Sequence, residues 1–237
     1  MKRYMLLCLM FLVACERPQL PAPLRPGQPL PSAGSGRQEV VQYYTISLEN
    51  LPPDAKKEDR KNFYVIFDGS GSMKEEIDEA KEGFLEFLKN LPDDINLGLL
   101  IFDARRMREV VPLGSGNRDH VRKEVLAISP SNGTPLGEAI QVANTKLLDQ
   151  YRRQIGLGNF GIVIVTDGEA DDSDLMVKNA VEAEKYGFQI YTIGFGIEGH
   201  SLKGYSMVYM VANNKQQLAN ALQEMIVEPP DSWMPSN

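Results

Sequence analysis

Five oxygen-bearing side chains fall in three short stretches of this 237-residue chain. Asp68-Gly-Ser70-Gly-Ser72 supplies a carboxylate and two hydroxyls. Thr134, in Asn-Gly-Thr-Pro-Leu-Gly-Glu, supplies a third hydroxyl, and Asp167, in Val-Ile-Val-Thr-Asp-Gly, a second carboxylate. Two carboxylates and three hydroxyls, with no Cys or His, form a hard, all-oxygen set that suits Mg²⁺ and also Mn²⁺ or Ca²⁺. Asp-Gly-Ser-Gly-Ser alone is weak evidence, because Gly and Ser are ordinary turn residues. Its weight comes from the other two stretches, which follow in order and in matching surroundings.

Those surroundings are apolar runs alternating with helical periodicity. Residues 63–67 (Phe-Tyr-Val-Ile-Phe) and 160–166 have the near-continuous apolar character of central parallel strands. Further strands are expected at 96–102, 108–112, 188–193 and 207–211, with a short one at 42–48. Ile77, Ala80, Phe84, Phe87, Leu88 and Leu91 recur at helical spacing until Pro92 stops the helix. A helix over 118–127 should turn Val121, Val125 and Leu126 inward. Pro135 suits a first helical position and opens a helix to about residue 151, with Leu136, Ala139, Ile140, Ala143, Leu147 and Leu148 as its apolar face. Helices are also expected over 175–186, closed by Gly187, and over 216–226. Strands alternating with helices of this length predict an α/β fold, a doubly wound and mostly parallel central sheet flanked by helices. Asp68 and Asp167 then lie at strand C-terminal ends, the edge where such sheets bind ligands.

The pattern Asp-x-Ser-x-Ser, then Thr, then Asp resembles the metal-ion-dependent adhesion site of von Willebrand factor A-like (VWA) domains. Every element is present as Asp68, Ser70, Ser72, Thr134 and Asp167, and the similarity spans about residues 60–227. The resemblance implies a Rossmann-like VWA fold and a bound divalent cation, Mg²⁺ before Mn²⁺ or Ca²⁺. It also implies that Ser70 and Ser72 are direct ligands, while Asp68 and Asp167 act mainly through water and orient the hydroxyls. Thr134 would change between direct and water-mediated contact as a partner binds. An ion held this way keeps an open position, which an Asp or Glu of a protein partner would complete. In this family such a change can couple to movement of the last helix, here 216–226. The alternating serines are expected to need small residues at both Gly69 and Gly71, with Gly133 and Pro135 shaping the Thr134 loop.

The N-terminus reads as a processing signal. Lys2 and Arg3 precede an apolar stretch, residues 5–13, that is too short to span a bilayer. Leu12-Val13-Ala14-Cys15 resembles a bacterial lipoprotein signal, in which residues 1–14 are removed and Cys15 carries the lipid. Loss of Lys2 and Arg3 takes the formal charge from −7 to −9, and Cys15 would be the one remaining cysteine. Residues 15–38 hold Pro18, Pro21, Pro23, Pro26, Pro29 and Pro31 before Ser32-Ala-Gly-Ser-Gly36, a composition that makes a tether rather than a core. At roughly 3.1 Å per residue in polyproline form it would reach up to about 70 Å from the lipid. Residues 39–59 form a lead-in and residues 228–237 a tail, in which Trp233 either docks a partner, packs back on the domain or has no role. Glu16, rather than Asp, after the lipid-bearing Cys tips the reading of this cell-envelope protein toward the outer membrane.

An acidic chain without a basic stripe argues against nucleic acid and against electrostatic membrane binding. No small-molecule substrate is expected. Arg105, Arg106 and Arg108 read as a solvated strand edge. Glu169, Asp171, Asp172 and Asp174 read as a solvated acidic loop at a helix N-terminus, or else as a selector of a basic rim on the partner or a second cation site. His120 and His200 read as surface or hydrogen-bonded histidines, and Met207 and Met210 as core. Enzyme activity is not expected. Ser70 stands where dehalogenase-like phosphatases carry a second Asp, the serine-hydrolase elbow is absent, and no His is placed as a base. The function expected is a lipid-anchored, metal-dependent protein-binding module. A structural or assembly lipoprotein that does without the metal is the alternative, with a metal-dependent hydrolase behind it.

Overall fold

The computed structural model describes residues 44–227. The signal segment, Cys15, the proline-rich tether and the tail with Trp233 lie outside the described residues. In chain order the elements are β1 (Lys61–Asp68), α1 (Ile77–Asn90), β2 (Asn96–Asp103), β3 (Arg106–Gly114), α2 (Arg118–Leu126) and α3 (Leu136–Arg153). They continue with β4 (Asn159–Thr166), α4 (Ser173–Tyr186), β5 (Gln189–Phe195), β6 (Val208–Ala212) and α5 (Lys215–Leu222). The six strands form one sheet in the order β3-β2-β1-β4-β5-β6. Every neighbouring pair is parallel except β2 and β3, which form an antiparallel hairpin with register shifts near Leu99. This is the expected α/β, doubly wound architecture.

The two faces of the sheet bury two separate apolar layers, because side chains alternate along a strand. Phe63, Val65 and Phe67 face one way, into a layer with Phe84, Val121, Leu218 and Leu222 from α1, α2 and α5. Tyr64 and Ile66 face the other way, against Leu136, Ile140, Met176 and Ala180 of α3 and α4. Coverage on both sides is why β1 and β4 can be nearly all apolar instead of alternating. The order places β1 and β4 side by side at the centre, with Phe67 opposite Val165. Their C-terminal ends therefore open at one point on the sheet edge. That placement builds the site.

The helix boundaries follow local chemistry. Leu91, before Pro92, adopts extended backbone (φ −68°, ψ 123°) and ends α1, since proline disfavours helix in the residue before it. Gly187 closes α4 in the left-handed conformation, its N–H bonded to the carbonyls of Ala183 and Glu184. The last helix is shorter than expected: α5 stops at Leu222 and passes into a wider π turn over Gln223–Val227.

Four expectations are corrected. Within 44–48 there is no strand. Instead the Tyr44 N–H donates to the Lys185 carbonyl at the end of α4 (2.7 Å), and its ring leans on Tyr186 with centroids 5.0 Å apart. Leu126 lies on the open side of α2 at 57% exposure, because Val121 and Val125 already fill its inward face. Met207, at 38% exposure, precedes β6 rather than packing under it, whereas Met210 does pack against the core. The arginines are not simply a solvated edge. Arg108 Nη1 bonds Asp103 Oδ1 at 2.7 Å and Arg105 Nη2 reaches Asp103 Oδ2 at 3.3 Å, around a carboxylate with no exposed side-chain surface. Burial alone would raise the Asp103 pKa. The Arg108 guanidinium and the N–H groups of Arg105 and Ser129 outweigh it and hold the carboxyl below its ordinary value. Arg106 alone matches the solvated reading.

Candidate metal centre

The chain leaves β1 in a tight reversal. The Gly69 N–H donates to the Phe102 carbonyl of β2 (2.9 Å), and the Ser70 N–H turns back onto Asp68 Oδ1 (2.7 Å). Asp68 itself is fully buried. Its other oxygen accepts from the Thr166 hydroxyl at the end of β4 (2.6 Å). Ser70 Oγ lies 3.0 Å from Ser72 Oγ, and Ser72 Oγ donates to Asp167 Oδ1 at 2.7 Å. Four of the five predicted groups thus form one hydrogen-bonded chain, Asp68–Ser70–Ser72–Asp167. They come from segments 95 or more residues apart in sequence.

Thr134 sits on the adjoining loop. The Gly71 N–H bonds the Asn132 carbonyl (3.0 Å) and the Ser131 N–H bonds the Gly69 carbonyl (3.0 Å), tying this loop to the serine loop. Thr134 is 6% exposed. It makes no hydrogen bond to the other four groups. Its N–H, by contrast, is committed to Asp171 Oδ2 (2.7 Å).

Burial raises the Asp68 pKa to about 6; bonds from Ser70 and Thr166 oppose the shift and the charge of Asp167 adds to it. Burial raises Asp167 as well, against the Ser72 hydrogen bond. Among the described residues no Lys, Arg or His forms an ion pair with either carboxylate. Buried carboxylates ordinarily find a cation or a full set of donors, and here the cation is missing from the protein itself. Nor do three or more His, Cys, Asp and Glu side chains gather to hold a metal among the described residues. Any ion here would need the Ser and Thr hydroxyls, the hard set that the sequence contains.

The two glycines of the serine loop differ. A Cβ at Gly69 would stand 2.8 Å from Ile128 Cγ2 and 2.9 Å from the Phe102 carbonyl, so a small residue is required. At Gly71 the nearest atom is 3.5 Å away and φ is −64°, so the expectation of an obligatory Gly71 is not met. Gly69→Ala is expected to cost about 1–3 kcal/mol through overpacking, and Gly71→Ala to stay within about 1 kcal/mol of wild type. Urea denaturation of the two variants measures the contrast.

Sequence reasoning missed several supporting residues. Thr166 carries its hydroxyl one position before Asp167, and only the pairing of β4 with β1 shows that it reaches Asp68. His200, 6% exposed, sets Nε2 2.7 Å from the Gly168 carbonyl and accepts the Leu202 N–H at Nδ1 (2.9 Å). This pairing assigns the ring proton to Nε2 and confirms a hydrogen-bonded histidine. The acidic loop is not merely solvated. Glu169 accepts the Ser201 N–H (2.9 Å) and Asp171 Oδ2 the Thr134 N–H (2.7 Å). Asp172 takes the N–H groups of Gly137 (2.8 Å) and Glu138 (3.0 Å). Asp172 therefore caps the start of α3, not of the helix it precedes.

Comparison with known proteins agrees with this architecture. No curated protein sequence matches the chain. Among solved structures, an aerotolerance-related membrane protein from Bacteroides fragilis superposes with a TM-score of 0.54 at 16% identity, over 69% of this chain and 97% of that one. The pilus adhesin SpaC from Lactobacillus rhamnosus GG, in its open conformation, gives 0.60 at 13% identity. That match covers 73% of this chain but 30% of SpaC. Manganese-loaded TRAP protein from Plasmodium vivax gives 0.56 at 16% identity, over 71% of this chain and 74% of that one. At such identities the likeness speaks for the fold alone. The sequence profile for the von Willebrand factor type A domain matches residues 62–231. With that match across most of its length, the chain belongs to the von Willebrand factor type A domain family.

Proposed function

We propose that this chain is a lipid-anchored protein-binding module whose partner completes a divalent-cation site. The observation that carries the reading is the pair of carboxylates, Asp68 and Asp167, drawn together by hydroxyls at the sheet edge without a basic side chain to balance them. Ser70, Ser72 and Thr134 would supply direct or exchangeable oxygens, and the two carboxylates would act mainly through water. Mg²⁺ is the expected ion, with Mn²⁺ and Ca²⁺ as substitutes in vitro. When bound, the ion supplies an electrophilic position for an Asp or Glu of the partner. Recognition needs no bond making, and the geometry favours binding over catalysis. His200 commits both ring nitrogens to backbone groups, so it does not serve the neighbouring hydroxyls as a base.

Support for an envelope location comes from the Cys15 signal, which would anchor the chain by lipid on the outer membrane in preference to the inner. Among the described residues no helix is long and apolar enough to cross a membrane. The structural likeness to a membrane protein and a pilus adhesin fits a cell-surface binding role, and the manganese-loaded TRAP protein fits a divalent ion. Affinity capture from membrane extract, with full-length chain as bait, tests the reading. A protein retained with Mg²⁺, but lost with chelator or with Asp68→Asn bait, is the expected result. Equal capture under all three conditions would support the metal-independent assembly role instead.

A further inference from the structure

We infer that Asp171 and Asp172 are positioning residues that lock the Thr134 loop to the Asp167 loop, so that Thr134 can change its place only together with that loop. Four hydrogen bonds make the brace. The Thr134 N–H donates to Asp171 Oδ2 (2.7 Å) and the Asp171 N–H returns to the Thr134 carbonyl (3.0 Å). The Gly137 and Glu138 N–H groups donate to the two oxygens of Asp172 (2.8 and 3.0 Å). The two glycines in the Thr134 stretch make room for these carboxylates. A Cβ at Gly133 would lie 1.9 Å from Asp171 Oδ2, and one at Gly137 would lie 2.6 Å from Asp172 Oδ2. Behind the brace, Asn179 Nδ2 bonds the Gly137 carbonyl (2.8 Å) and Asn144 Nδ2 bonds the Asn179 carbonyl (2.9 Å), which stitches α3 to α4 in the interior.

The other side of the Thr134 loop is held differently. Its two bonds to the serine loop run through Ser131 and Asn132, and Asn132 sits in the left-handed region at φ +68°. That residue divides the loop. Residues before it move with Ser70 and Ser72, and residues after it move with Asp167. A shift of Thr134 relative to the two serines would therefore pass into α3 and α4, on the face of the sheet opposite α5.

The part of this inference that concerns the ion rests on the proposed metal site; the brace itself does not. Hydrogen exchange and Mn²⁺ titration on the full chain separate the two. In metal-free protein, Asp171→Ala should speed exchange of the Thr134 amide about tenfold, as loss of a hydrogen bond does, while Asp172→Ala should act on the Gly137 and Glu138 amides. Asp171→Ala should weaken Mn²⁺ binding at least about tenfold, the scale of a lost ligand-orienting contact. Asp171→Asn, whose amide oxygen can still accept the Thr134 N–H, should restore it to within about threefold. Asp174→Ala, outside the brace, should match wild type. Unchanged exchange in both alanine variants would overturn the brace. Faster exchange with wild-type Mn²⁺ affinity would overturn its positioning role. Absence of Mn²⁺ binding by wild type would refute the metal site, leaving the exchange results to decide the brace.

Discussion

Saturating Mn²⁺ or Mg²⁺ should raise the melting temperature of the full chain by about 5–10 °C, and should leave Asp68→Asn unmoved. The size follows from linkage. An ion at one hundred times its dissociation constant adds about 2.7 kcal/mol to the folded state, and a chain of this size melts about 2–4 °C higher per kcal/mol. The variant is informative for a second reason. Asp68 is fully buried and shares the site with Asp167 without a basic partner, so its charge burdens the metal-free fold at neutral pH. An amide removes that charge while keeping one oxygen for the Ser70 N–H or the Thr166 hydroxyl, which bond the carboxylate now. Metal-free Asp68→Asn should therefore melt above metal-free wild type at pH 7.5, although it no longer responds to the ion. Differential scanning calorimetry with and without chelator reads both effects. A variant that melts lower than wild type without metal, or that still responds to metal, would contradict this charge balance.

The same carboxylate sets a pH dependence of opposite sign to ordinary acid denaturation. Burial pushes the Asp68 carboxyl up to about 6 in the folded chain, from 3.8 for the free side chain. Between those values the folded state keeps a proton that the unfolded chain has released. The group therefore contributes stability below about pH 4, and that contribution is lost as the pH rises to 6 and beyond. At 1.36 kcal/mol per unit the whole swing is about 3 kcal/mol. Asp167, raised by burial as well, acts in the same direction. Asp103, held low by Arg108, acts in the opposite one. The difference between wild type and Asp68→Asn isolates the Asp68 contribution. In urea titrations under chelator, wild type should gain on the variant as the pH falls from 7.5 to 5. With metal present, binding must displace the Asp68 proton, so Mn²⁺ affinity should climb from pH 5 to 7 and level off above. A wild-type-minus-variant difference that stays flat with pH would refute the assignment.

The meeting of Asp68 and Asp167 was legible in the sequence because each ends or follows an apolar run, and parallel strand order brings such ends together, whereas Thr134 lies on the loop before α3. The alternation of two-sided strands with amphipathic helices was equally plain, down to the Pro92 and Gly187 stops. What escaped was set by tertiary packing. Leu126 and Val125 are equally apolar, and only the limited width of the inward face of α2 decides which is exposed. Asp171 and Asp172 looked like solvent-facing charge, since the loop that they grip lies about 35 residues earlier in the chain. Gly69 and Gly71 look alike in a five-residue motif. The difference between them is the approach of Phe102 and Ile128 to one and not the other. The arginines after β2 were read as an edge because nothing local shows that Asp103 points inward.

The site makes sense of the rest of the fold. Asp68 and Asp167 end neighbouring strands, β1 supplying one as its last residue and β4 the other just beyond its end, and α3 starts at Leu136, with Pro135 between it and Thr134 as its cap. The loop that carries the serines is pinned by the Phe102 carbonyl of β2. Three neighbouring strands and one helix start thus hold five small oxygen-bearing side chains on rigid supports, the arrangement that an ion with exacting geometry would need. Direct titration of Mn²⁺ into metal-stripped full-length chain, followed by its electron paramagnetic resonance signal, tests this claim most directly. One site per chain is predicted, weakened about a hundredfold by Asp68→Asn and at least about tenfold by each of Ser70→Ala and Thr134→Ala. Binding that is absent in wild type, or that survives all three substitutions unchanged, would contradict it.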